Sequence, residues 1–131
     1  MKTFFLLLFA AIAVCTSCVK QNNVPEMKLD EMIPSGSGGI DSIKYAGNFI
    51  NGRYGSVSGS AKIYLQNNKC ILILENIIVS NGPDLHVYLS KEMQPVNFID
   101  LGKLKSTMGN QVYNITGYPD LSQYTYALVH C

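Results

Sequence analysis

Four cysteines and two histidines hold most of the nucleophilic and ligating chemistry of this 131-residue chain. Cys15 and Cys18 stand near its start, Cys70 is alone in the middle, and His130 and Cys131 close it. His86 lies within "SNGPDLHVYLS", residues 80–90, two places after Asp84 and two before Tyr88. A thiolate can act as a nucleophile, a disulfide partner or a soft metal ligand. An imidazole beside a carboxylate can be held as a proton acceptor. Larger constellations are missing: there is no Gly-x-Ser-x-Gly elbow, no Walker loop and no His-Glu-x-x-His. His130 and Cys131 are neighbours in a strand-like run and so point to opposite faces, a poor ligand pair. No metal or other cofactor is expected, and the chemistry on offer amounts at most to a redox module rather than a hydrolytic enzyme.

What must position these residues begins with a leader. Lys2 precedes "FFLLLFAAIAV", Phe4 to Val14, an apolar run too short to cross a bilayer as a mature helix, which needs about 20 residues, but suited to a signal-peptide core. The "CTSC" that follows resembles a bacterial lipobox, with Ser17 before the cut and Cys18 as the lipidated residue; Cys15 departs from the aliphatic residue usual at its place. Residues 1–17 are then a lipoprotein signal peptide, and Cys18 attaches the protein to a lipid bilayer in the bacterial cell envelope, the leaflet left open. Cleavage removes Lys2, so nine of the ten basic residues remain against nine acidic ones. A formally neutral domain without a basic cluster has no electrostatic hold on a phosphate backbone, which argues against nucleic acid.

Residues 18–42 are expected to be the lipidated cysteine and a flexible tether, on the strength of Pro25, Pro34 and "PSGSGG". Within it, "EMKLDEMI" has the makings of one loose helical turn with nothing packed on it. From residue 43 to 131 the texture becomes short alternating runs broken by Gly, Asn and Pro. About seven strands and no long helix predict an all-β domain, an antiparallel sandwich or a partly closed barrel. "SAKIYLQ" and "KCILILEN" flank Asn67-Asn68, a pair that tolerates positive φ, and so predict a hairpin. Its register pairs Leu65 with Cys70, Ile63 with Leu72 and Ala61 with Leu74, turning Cys70 inward. In "YTYALVHC" the same alternation puts Ala127, Val129 and Cys131 on one face, with Tyr124, Tyr126, Leu128 and His130 on the other. In residues 84–90, Leu85, Val87 and Leu89 alternate with Asp84, His86 and Tyr88. His86 is then either an ordinary polar residue on the wet face or a binding group whose certain neighbours are Asp84 and Tyr88.

Two inward cysteines in an oxidising compartment tend to pair. A Cys70–Cys131 bridge would be worth about 4 kcal/mol in the chain-entropy account. An exchangeable pair and two unpaired thiols remain as alternatives.

Several stretches together resemble one family. "NGPDLHVYLS", "IDLGKLKSTMGNQVYNI" and "LSQYTYALVHC", preceded by Gly47-Asn48-Phe49 and "VSGSAKIY", are similar to the DM-thirteen domain of the electron-transfer DM family, over about residues 45 to 131. The resemblance implies a compact extracytoplasmic β domain and a redox role centred on Cys131, where the family's characteristic cysteine falls, with Cys70 as its possible partner and a redox partner protein to match. Family members usually run on past that cysteine into a further strand, whereas this sequence stops there, so either the last strand is absent or the sequence is truncated. The alternative is a non-catalytic binding or scaffold domain with a structural Cys70–Cys131 disulfide. On the lipobox reading, Cys18→Ala should release the protein from membranes or leave it unprocessed, and fatty-acid label still entering that variant would refute the assignment.

Overall fold

The computed structural model describes residues 23–32 and 42–131; Cys15 and Cys18 lie outside them. The described residues form eight strands and no helix: β1 (Leu29–Asp30), β2 (Ser42–Asn48), β3 (Val57–Gln66), β4 (Lys69–Val79), β5 (His86–Ser90), β6 (Phe98–Lys103), β7 (Met108–Asn114) and β8 (Tyr126–His130). They make a five-stranded sheet in the order β1-β7-β4-β3-β2 and a three-stranded sheet in the order β6-β5-β8. The expected all-β sandwich is what forms, with no closed barrel.

The Asn67-Asn68 hairpin has the predicted register. Both residues have positive φ, 48° and 59°, and the ladder pairs Leu65 with Cys70, Ile63 with Leu72 and Ala61 with Leu74. Leu72, Leu74 and Ile77 meet Leu85, Val87 and Leu89 of the other sheet in the main core. Alternation undersells β4, however. Ile71 and Ile73, on its opposite face, are buried too, in a second cluster with Tyr64. A central strand covered on both faces reads as a continuous apolar run, and "CILIL" is one.

The connection from β6 to β7 passes from the small sheet to the large one, and a buried polar network fixes it. The Gln111 side chain, fully buried, donates from Nε2 to the Ser106 carbonyl at 2.7 Å. Its Oε1 accepts the Tyr113 hydroxyl at 2.7 Å and the Lys105 N–H at 3.2 Å. Burial pushes the Tyr113 hydroxyl up to about 12, against the lowering effect of the Lys105 N–H.

The expectation of a free tether fails over residues 23–32. Val24 is buried in the main core. Asn23 bridges to Pro83, and β1 runs parallel to β7, with Leu29 beside Gly109. The Pro25 carbonyl accepts the Thr107 N–H at 2.9 Å and the Ser106 hydroxyl at 3.1 Å. Gly109 has φ 108°, and a Cβ there would overlap the Leu29 carbonyl; only glycine admits the strand. Over its described part, residues 26–32, "EMKLDEMI" thus holds the two-residue edge strand Leu29–Asp30 and no helical turn. Its side chains stay largely outside the core because the docking is made of backbone hydrogen bonds and one carboxylate. Glu31 accepts the Val112 N–H at 2.7 Å and pairs with Lys105 at 2.8 Å.

Burial alone would push the Glu31 carboxyl up, but the Lys105 ammonium and the Val112 N–H outweigh it and hold the group below its ordinary range. A depressed folded value gives stability that is complete above the unfolded value of about 4.3 and lost as pH falls through the folded one. Glu31→Gln should cost about 1 kcal/mol at neutral pH, discounted for partial exposure of the pair. In urea unfolding the deficit should shrink on acidification. A deficit that does not change with pH would mean the charge contributes nothing.

Candidate functional site

β5 is the middle strand of the small sheet, and its alternation sends Val87 and Leu89 to the core and His86 and Tyr88 outward. Register with β8 places His130 beside His86 and Leu128 beside Tyr88. Register with β6 places Lys103 beside His86 and Asp100 beside Tyr88, with an irregularity between the two pairs. At that irregularity Gly102 has φ 113°, and its N–H is accepted by Asp100 Oδ1 at 2.8 Å. The Asp100 carboxylate is thereby turned toward His86.

The result is an imidazole between two carboxylates. His86 Nδ1 lies 2.9 and 3.1 Å from the two Asp100 oxygens, and Nε2 lies 3.4 Å from Asp84 Oδ1. Asp84 has φ 51° and also pairs with Lys103 at 3.1 Å, whose ammonium holds the Asp84 carboxyl below its ordinary range. A neutral ring donates from one nitrogen only, so Asp100 is its partner in that state; the imidazolium would satisfy both acids. Tyr88 stacks on Phe98 with ring centres 4.4 Å apart and stands about equally far from His86 and His130, at 6.1 and 6.2 Å. Burial, then the negative charges of Asp100, Asp84 and Cys131, push the Tyr88 hydroxyl up.

Sequence reasoning named Asp84 and Tyr88 as neighbours of His86, and both are. It missed Asp100, which sits on another strand. The signal was present in "DLG", an acid two residues before a glycine, but only the ladder shows which strand that acid faces.

The cysteines are not brought together. Both Cys70 and Cys131 are unpaired. Cys70 packs partly against the main core at the β3–β4 turn, and its carbonyl accepts the Ile115 N–H at 3.1 Å. Cys131 follows the His130–His86 pair, at the end where Val79, Leu85 and Thr107 gather. The run of β4 from Cys70 to Val79 is roughly 30 Å of extended chain, far beyond the about 4.4–6.8 Å between Cα atoms that a bridge needs. The expected disulfide is therefore corrected to two separate thiols. Parity was right for Ala127 and Val129, which pack on the core, but Cys131 lies past the last strand residue and is exposed. Tyr124, expected on the outer face, also packs on the core, because it precedes β8 and does not follow its alternation.

Cys131 stands at the rim of a cleft of about 730 Å³ between the sheets. One wall is Ala61, Ile63 and Leu72; the other is Leu89, Ala127 and Val129. Among the described residues no cluster of three His, Cys, Asp or Glu side chains is arranged to hold a metal ion.

The electron transfer DM13 family matches residues 48–131. The chain belongs to that family, and the stretch matched contains His86, Asp100, Cys70 and Cys131. Comparison with curated proteins and with solved structures gives no match. Because Asp100 helps to keep Tyr88 protonated, Asp100→Asn should bring the Tyr88 ionisation to lower pH in a residue-resolved NMR titration. Asp120→Asn, in the exposed turn before β8, should not, and an unmoved Tyr88 in both variants would break the link between these groups.

Proposed function

We propose that this member of the electron transfer DM13 family is a lipid-anchored extracytoplasmic module that passes electrons through the Cys131 thiol to a partner protein. The observation that carries the reading is one exposed, unpaired cysteine, Cys131, inside the matched stretch. Cys70 is half-buried at the other end of the sandwich, so the exchange runs between Cys131 and a sulfur of the partner. The Cys131 thiolate attacks one sulfur of a disulfide on the partner. A bond forms between Cys131 and that sulfur, and the second sulfur leaves as a thiolate. Attack by another thiol on the mixed disulfide then frees Cys131. The histidine and carboxylates beside Cys131 give this end of the domain a polar face against which a partner can seat, and Cys18 supplies the anchor.

Oxidised glutathione serves as a minimal disulfide for the test. Incubation of the full chain should give an adduct at Cys131, located by peptide mass mapping. Cys70→Ser should leave it in place and Cys131→Ser should abolish it. An adduct forming at Cys70 while Cys131 stays unmodified would overturn the assignment of the redox centre.

A further inference from the structure

The about 730 Å³ cleft between the sheets is within the size range of sites that enclose drug-sized ligands, about 300–1,000 Å³. Its walls come from opposite sheets, so it is a gap in the sandwich core and not a surface dent. The open side lies between β2 and β8, each an edge strand of its own sheet. Over the opening runs the 49–56 segment, clasped where the Ser56 N–H meets the Ser80 hydroxyl at 3.0 Å and the Ser80 N–H meets the Ser56 carbonyl at 2.9 Å. Along this segment Ile50 and Tyr54 are exposed.

Two properties of the lining restrict the occupant. The first is charge. Among the described residues Arg53 is the only lysine, arginine, aspartate or glutamate on it, and the Arg53 guanidinium lies 6.0 Å from the Tyr54 ring. Elsewhere the domain carries ion pairs on its outer surfaces: Lys62 with Glu75, Lys103 with Asp84 and Lys105 with Glu31. A charged ligand entering the cleft would lose its hydration and find almost no counter-charge, a large cost. The second is shape and type. Tyr45, Phe49 and Tyr124 supply aromatic rings, Met93 a deformable side chain, and Asn48, Asn51, Asn81, Gln94 and Thr125 uncharged polar atoms. Mainly apolar walls with aromatic rings and uncharged polar groups favour a ringed, uncharged guest.

We infer that the cleft is a binding site for an uncharged, lipophilic, ring-containing small molecule, which lies between Ala61 and Ala127 and covers Cys131 when bound. This inference does not require Cys131 to cycle electrons.

The probe is N-phenyl-1-naphthylamine, an uncharged two-ring dye that brightens in apolar surroundings. It should bind the full chain saturably, whereas anionic 8-anilinonaphthalene-1-sulfonate should bind much more weakly. Ala127→Trp places an indole in the cleft and should weaken binding about tenfold or more, with circular dichroism reporting whether the fold is kept. In the unsubstituted protein, bound dye should slow N-ethylmaleimide modification of Cys131 and leave that of Cys70 unchanged, a readout that needs no folded variant. Cys131→Ser should retain binding, so failure of the redox reading and failure of this one are distinguishable. Absence of saturable binding, equal binding of the anionic dye, or binding without protection of Cys131 would each overturn the inference. So would a dimer in sedimentation that Ala127→Trp converts to monomer, since the cleft would then be a contact between copies of the chain.

Discussion

The buried carboxamide of Gln111 is the constraint on which the arrangement turns. Every polar atom of that side chain is used, on Ser106, Lys105 and Tyr113, at a place where an unmade hydrogen bond costs about 1–3 kcal/mol. The network shapes the short connection that carries the chain from the small sheet to the large one. Once that connection is set, Leu104 enters the core beside Leu85, the Ser106 hydroxyl points at the carbonyls of Pro25 and Met27, and Lys105 reaches Glu31. Packing of the two sheets and docking of the N-terminal strand therefore share one local cause. No buried side-chain polar atom among the described residues lacks a partner, as expected where low polarity makes an unmet group costly.

The same economy is missing on the open side of the sandwich. Among the described residues no further strand closes the sheets between β2 and β8, and apolar side chains there face a gap. Cys131 lines this gap one residue beyond His130, the β8 partner of His86. With Cys131 as the proposed redox thiol, the domain combines two environments within a few residues: a charged, ion-paired outer face and a largely uncharged interior.

How much of this was legible depended on range. The β3–β4 hairpin could be read to the residue because a two-residue turn with positive φ fixes its own register. The inward side of β5 followed from period-two alternation. The Asp100–His86 contact was hidden because strand order is set by long-range packing, and a bulge at Gly102 altered the local register. The N-terminal strand was hidden for a different reason. Residues 23–32 contribute only one buried apolar side chain, Val24, and their attachment is made by backbone carbonyls and the Glu31 carboxylate, whose partners lie some 80 positions away. A segment held that way has the composition of a linker. The cysteine bridge failed because parity gives a side chain's face and not its height along the sandwich.

On the proposed lipid anchor, docking of residues 23–32 would also limit how far the domain can stand from a bilayer. With Cys18 as the proposed lipidated residue, the leash to Asn23 is five residue steps, at most about 18 Å when fully extended. Asn23 bridges to Pro83 and lies by Asp84, Leu85 and Lys103, so the leash leaves the domain at the end that carries His86 and Cys131. That end would be held down toward the lipid headgroups and the hairpin end with Cys70 would point away. A partner meeting Cys131 would then approach along the membrane plane, and a lipid-soluble guest would have only the headgroup layer to cross before reaching the gap between the sheets.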